Sequence, residues 1–300
     1  MVDFKNPTIS DIRWIKELSF SSGLRSTDYT FCSLFSWSGN YYSNVLARFK
    51  DRILIKMSIG GEVYYGYPVG RGELLPAVLA LREDAVQNHI PFRMSNIPEE
   101  LLPEVKGLFE TEPKVTLDER FSEYVYPAEK LVTLSGKKLQ SKRNHLYRFR
   151  DNNPTWSFEP ISRENIAECK AFADFWFEKS AAEKDEDFED EIHALNIVFD
   201  NYFDMELDGG LIRTSDGVIA FTIGEPVSED TFICHFEKAN PEINGSYTVI
   251  NQQFAEYITK KYPNVVYINR EEDMGIESLR KAKQSYHPAF LLNKYTVTWE

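Results

Sequence analysis

Cysteine is scarce in this chain. The 300 residues hold three, Cys32, Cys169 and Cys234, far apart and odd in number. They make neither a disulfide framework nor the close pairs of a zinc or redox site. No metal is therefore expected, and a reducing, cytoplasmic compartment fits best. Long apolar runs are missing too. No segment approaches the roughly 18 uninterrupted apolar residues of a membrane-spanning helix. The opening "MVDFKNPTISDIRW" has no basic stretch leading into an apolar one, so no secretory signal is expected. Positive charge is in the minority: 34 Lys and Arg stand against 47 Asp and Glu, a net charge of −13. That argues against a broad basic face gripping nucleic acid.

What is present suits a soluble α/β protein. A length of 300 residues accommodates two domains, and 42% hydrophobic residues supply a core for each. The scarce positive charge is also unevenly placed. From Lys130 to Arg150 no acidic residue occurs, while Lys130, Lys137, Lys138, Lys142, Arg143, Arg148 and Arg150 do. The opposite pole, "AEKDEDFEDEIH" at 182–193, reads as a solvated helix start or loop.

Periodicity gives a similar order of elements twice. In the second half, "GLIRTSDGVIAFTIGEPV" is a hairpin turning at Ser215-Asp216-Gly217, and "TFICHFEKAN" is a strand. A helix over 244–262, a short strand "NVVYIN", a helix over 275–286 and a last strand over 289–299 follow. In the first half, "RILIKMSI" and "EVYYGYPVG" flank Gly60-Gly61. A helix over 73–89, the strand "PFRMSN", a short helix and the closing strand "SEYVYP" follow. Helices over 10–20 and 164–178 precede the two hairpins. The expectation is two related α/β modules, residues 1–130 and 131–300, the second carrying a basic helix over 137–150.

Several side chains are placed for chemistry. In the basic helix, Arg143 falls between Leu139 and Tyr147, where its planar fork suits a phosphate or carboxylate. Lys142 and His145 extend such a groove, and Tyr147 and Phe149 offer rings to the bases of an RNA end. In "TFICHFEKAN", period two puts Phe232, Cys234 and Phe236 on one face and Ile233, His235 and Glu237 on the other. His235 and Glu237 are then neighbours, and either is a candidate general base. Asn244, Gly245 and Ser246 open a helix, the usual place for an anion, although one glycine and no nearby arginine make a poor pyrophosphate loop. "VVYIN" delivers Asn269 and Arg270 to the carboxyl edge of a sheet, where sites collect. Glu271 and Glu272 follow, placed to receive an amino group, and Asp273 can cap the next helix. On that helix Arg280 and Lys283 share a face and suit an oxyanion or phosphate.

The element order resembles the acetyltransferase-like (GNAT) fold, and the tandem pair resembles the Fem aminoacyl ligases. Two stretches make the likeness more specific: "LSGKKLQSKRNHLYRFRDN", 134–152, and "YINREEDMGIESLRKAKQSYHP", 267–288. They are similar to an uncharacterised bacterial family related to the C-terminal domain of phosphatidylglycerol lysyltransferases. In those enzymes the late helix ends in Phe-Lys, then Phe, Pro and Arg-Tyr. Here Lys283, Tyr286, Pro288 and Lys294-Tyr295 hold those places, with Ala282 for the phenylalanine and Lys294 for the arginine. The tyrosine general acid of many acetyltransferases is replaced by Lys281.

The resemblance implies an α/β (α+β) fold of two tandem GNAT modules, with mixed central sheets flanked by helices. It implies direct acyl or aminoacyl transfer, without a tightly bound cofactor, from acyl-CoA or aminoacyl-tRNA. The acceptor would be the amine or hydroxyl of a small molecule or peptide. Glu237 or His235 would be the base, Lys283 and Arg143 would stabilise charge, and Tyr286 would line the substrate. The alternative is a non-catalytic protein on a degenerate fold that binds a small anion or a partner.

Overall fold

The structure, a computed structural model, describes residues 2–39, 42–180 and 186–299. Residues 182–185 of the acidic stretch therefore lie outside the described residues, and helix begins at Glu186. The first half holds α1 (Ile12–Ser22), α2 (Phe31–Ser36), β1 (Tyr42–Phe49), β2 (Arg52–Ile59), β3 (Glu62–Gly66), β4 (Val69–Gly70), α3 (Leu74–Gln87), β5 (Arg93–Pro98), α4 (Leu102–Lys106), β6 (Lys114–Leu117) and β7 (Glu123–Pro127). The second half runs α5 (Ala128–Thr133), α6 (Gln140–Asn152), β8 (Ser157–Pro160), α7 (Ile166–Lys179), α8 (Glu186–Asn201), β9 (Asp208–Thr214), β10 (Gly217–Pro226), β11 (Thr231–Ala239), α9 (Ser246–Lys261), β12 (Tyr267–Asn269), α10 (Glu277–Gln284), β13 (Phe290–Leu292) and β14 (Lys294–Thr298). The basic helix is thus α6, entered through a 3₁₀ turn over Lys137–Leu139.

These elements build two mixed sheets flanked by helices, the tandem acetyltransferase-like architecture expected. The first sheet has the order β1-β2-β3-β5-β14-β6, with β4 on β2. The second has the order β13-β7-β12-β11-β10-β9-β8. Each contains a parallel pair, β3 with β5 and β11 with β12, among antiparallel ones.

The two sheets exchange strands. β7, read from sequence as the close of the first module, lies between β13 and β12 of the second sheet. β14, at the C-terminus, lies between β5 and β6 of the first. The single strand expected over 289–299 is two strands, parted at Asn293, whose side chain and carbonyl tie back to Glu99. Neither sheet is therefore drawn from one side of residue 130. A buried interior strand such as "EYVY" fits either sheet, because every side chain is covered whichever neighbours it finds.

The exchange fixes how the modules meet. One apolar core runs through the first module and onto the face of the second sheet covered by α7 and α8. A second core lies on the other face, under α5, α6 and α9.

Candidate active site

β11 and β12 pair over three residues, from Thr231 opposite Tyr267 to Ile233 opposite Asn269. Beyond that point they part. Just there β11 bulges: the ladder to β10 passes from Ile223–Phe236 to Gly224–Cys234, leaving His235 as the extra residue. Gly224 permits the close approach, since a Cβ there would stand 1.9 Å from the Ile233 carbonyl oxygen. The bulge also inverts the alternation. Phe232 and Cys234 pack beneath α9, whereas Phe236 joins the opposite core. The expected single face carrying both His235 and Glu237 is thereby split in two.

Glu237 turns toward α9 and accepts a hydrogen bond from Arg270 Nη2 at 2.7 Å. Asn251 Nδ2, from α9, reaches its other oxygen at 3.4 Å. The Arg270 guanidinium lies 5.0 Å from the ring centre of Tyr286 and 5.8 Å from that of Tyr126. Lys142 Nζ, from α6, stands 4.1 Å from the same Tyr286 ring. Burial, together with the Arg270 charge, pushes Lys142 down to about 8, against the pull of Glu237. Two buried polar atoms in this cluster have no partner, Arg270 Nη1 and Asn251 Oδ1. Unsatisfied buried groups are costly, so a pair of them at one spot marks a place built to hold something. The Arg270 and Glu237 side chains keep 13% and 10% of their surface exposed, so the place is reachable.

On the other side of the sheet stands a buried acidic centre. His235 is locked between Glu271 at 2.9 Å and Glu225 at 3.3 Å, and Glu225 also meets Lys16 at 3.0 Å. Burial alone would lower the His235 pKa, but Cys32, Glu225 and Glu271 raise it well above its ordinary value. Burial likewise disfavours the Glu225 charge, yet His235 and Lys16 hold its pKa at about 2. Both His235 nitrogens already face carboxylates, so neither points to the Glu237–Arg270 side of the sheet. Cys32, Glu225 and His235 bring metal-type ligand atoms within 4.8 Å of one another. Beside them, Lys294 binds Asp28 at 2.8 Å and Glu123 at 3.0 Å. Glu272 is pushed up to about 7 by burial and by the neighbouring carboxylates, with Lys294 opposing.

Several expected ligand contacts are engaged elsewhere. Lys283 is buried and directs its ammonium to the carbonyls of Arg270, at 2.6 Å, and Glu272, bracing the turn between them. It thereby supports the turn that carries Arg270. Arg143 turns one nitrogen, Nη1, to the carbonyls of both Leu134 and Gly136, closing the turn before α6. Asn269 is fully buried and bonded to Glu123 and the Arg25 carbonyl. Arg280 pairs with Asp273, which receives the Gly275 amide and the Tyr124 hydroxyl.

The Asn244–Ser246 loop packs against α6. Gly245 has φ +88°, and a Cβ on it would meet the His145 carbonyl oxygen at 2.5 Å and Phe149 Cβ at 2.9 Å. His145 also bonds to Asn244 at 2.8 Å, and the Ser246 hydroxyl to the Asn240 carbonyl. The glycine serves close packing of two helices, with α6 filling the space beside it, while Asn244 and Tyr247 on either side stay exposed. Of the candidates, the fold brings together Glu237, Arg270, Lys142 and Tyr286. Glu271 and Glu272 remain partly exposed across the sheet. Sequence reading missed Asn251 and Tyr126. A polar "NQQ" inside the apolar face of α9 was the available signal.

Residues 21–298 match the family model described as phosphatidylglycerol lysyltransferase, C-terminal. The crystal structure of a conserved protein of unknown function from Bacteroides thetaiotaomicron VPI-5482 superimposes with TM-score 0.94 at 35% identity, over 100% of both chains. The C-terminal domain of a putative lysylphosphatidylglycerol synthetase from Agrobacterium fabrum gives TM-score 0.69 at 12% identity, covering 97% of this chain and 92% of that one. At that identity the likeness is one of fold. An uncharacterized protein of Mycoplasmoides gallisepticum is 26% identical over 196 residues, 64% of this chain and 60% of that protein's length. No helix among the described residues is long and apolar enough to cross a membrane.

Proposed function

The chain belongs to the phosphatidylglycerol lysyltransferase C-terminal family, and from that premise we propose that it is an aminoacyl transferase using aminoacyl-tRNA as donor. The acceptor is the amine or hydroxyl of a small molecule or peptide, in the cytoplasm, where charged tRNA is found. A net charge of −13 disfavours approach to an anionic membrane surface.

The observation that carries this reading is the Glu237–Arg270 cluster at the parting of β11 and β12. One edge of the guanidinium is fixed on Glu237, and Nη1 is left buried and unpartnered. A preset donor of this kind stabilises the oxyanion that forms when an ester carbonyl is attacked. Glu271 and Glu272, next in the chain, lie across the sheet and are engaged by His235, Thr27 and Lys294, so they are not assigned to the substrate. Transfer is direct. All three cysteines are buried with raised pKa values, Cys169 and Cys234 to about 12, so none offers a ready thiolate. The loop before α9, with one glycine packed against α6, makes a poor pyrophosphate loop, which favours aminoacyl-tRNA over acyl-CoA.

The test is to incubate the purified protein with tRNA charged with each labelled amino acid and a panel of amine acceptors. Label should move to an acceptor, and Glu237→Gln and Arg270→Lys should each cut kcat at least about 100-fold, the scale of losing one oxyanion donor. Binding of acetyl-CoA with no transfer from any aminoacyl-tRNA would refute the reading.

A further inference from the structure

The Glu237–Arg270 cluster contains one nitrogen whose job its neighbours do not explain. Lys142 leans from α6 across the Tyr286 ring, and among the described residues no carboxylate lies within ion-pair distance of its Nζ. Surface lysines point to water, and buried ones find a carboxylate. This one is largely withdrawn from water and placed beside a second cation, Arg270, over a shared aromatic ring. The arrangement weakens the lysine's hold on its proton.

Resting on the reading of the site as an aminoacyl transferase, we propose that Lys142 is its proton-transfer residue. The acceptor nitrogen attacks the ester carbonyl, forming the new N–C bond. Lys142 Nζ, as the free amine, takes the proton that this nitrogen must lose. The C–O bond to the ribose then breaks, and the lysine returns that proton to the departing ribose oxygen. No other reactant is consumed, and the lysine ends as it began.

The neighbouring groups leave no rival for this role. Arg270, on the turn after β12, stays charged beside Glu237. Glu237, on β11, has one oxygen committed to Arg270 and receives Asn251 on the other. The hydroxyls of Tyr126, on β7, and Tyr286, after α10, are raised by burial, and the Cys234 thiol is pushed up to about 12. Lys283, on α10, is also pushed down to about 8, but its nitrogen is held on the Arg270 and Glu272 carbonyls. On α6 itself, Arg143 turns Nη1 to the carbonyls of the preceding turn, and His145 is bonded to Asn244. Lys142, pushed down to about 8, is left to exchange a proton near neutral pH.

The experiment measures kcat/KM for transfer from about pH 6 to about pH 9.5, with folding of each variant checked by thermal melting. Wild type should rise through a limb near pH 8 to a plateau, because the lysine works as a free base. Lys142→Arg keeps the charge over Tyr286 but cannot release a proton. It should lose the limb and about 10²–10⁴-fold of the plateau rate. Lys142→Met should do the same. Competitive acetic anhydride labelling, read by peptide mass spectrometry, titrates Lys142 in the resting protein without any substrate. A labelling midpoint near the ordinary value of about 10.4 overturns the proposal. So does a Lys142→Arg enzyme that transfers with an unaltered limb. A wild type that transfers from no aminoacyl-tRNA overturns the proposed function and this role with it.

Discussion

Gly245→Ala separates two accounts of the loop before α9. If the loop exists to hold an anion, the glycine gives a ligand room, and alanine should weaken ligand binding and spare stability. In the structure the space is taken by α6. An alanine Cβ would lie 2.5 Å from the His145 carbonyl oxygen and 2.9 Å from Phe149 Cβ, both well inside contact distance. The residue also sits at φ +88°, which costs an L-amino acid about 1–2 kcal/mol. Overpacking against backbone adds about 1–3 kcal/mol, since a carbonyl in mid-helix cannot swing aside. Reduced entropy of the unfolded chain returns about 0.4–1 kcal/mol. The expected net loss is about 1–4.5 kcal/mol, measured by urea unfolding. Trp156 is a local reporter, because its ring packs edge-on against Phe149 at 5.8 Å. A loss under about 0.5 kcal/mol, accompanied by weaker ligand binding, would refute the packing account and reopen the loop as an anion site.

Other perturbations read different parts of the molecule. Lys294→Met leaves the fully buried Glu123 without its cation and should cost about 3–5 kcal/mol in urea unfolding, with Lys294→Met/Glu123→Leu recovering part of it; a single variant within about 1 kcal/mol of wild type would show that the pair is not a support. Raised well above 6.5 in the folded state, His235 gives a stabilisation that is full below pH 6.5 and fades as pH climbs through the folded value. Melting curves of His235→Gln should therefore fall furthest below wild type near pH 6 and converge in alkali, and a gap independent of pH would contradict the charged imidazole. Arg143→Lys should lower stability by about 1–2 kcal/mol through loss of the Nη1 bonds to the Leu134 and Gly136 carbonyls while leaving donor affinity intact; unchanged stability with weaker donor binding would place Arg143 in the site.

Most elements were legible because their signals are local. The hairpin at Ser215-Asp216-Gly217, the helical stripe of α9 and the short apolar β12 all follow from turn chemistry and period. The strands that sequence reading missed, β1, β6 and β8, are the outer strands of the two sheets. An edge strand is half solvated and carries little pattern. Of the candidate site, Glu237, Lys142, Arg270 and Tyr286 were named from sequence, yet they lie on four separate elements. Nothing in their spacing says that they meet.

By itself, the sequence determined two α/β modules, a basic helix in the second, and the turn "NREED" at a sheet edge, since each depends only on neighbours within a few residues. Three further matters were decided by the tertiary structure. Strand exchange put β7 and β14 in opposite sheets, because a strand buried on both faces carries no mark of which sheet it joins. The bulge at His235 sent that residue and Glu237 to opposite faces, because one extra residue inverts a period of two. The packing of α6 filled the space beside Gly245 and carried Lys142 to the Tyr286 ring, because contacts between residues so far apart in the chain are set by the fold as a whole.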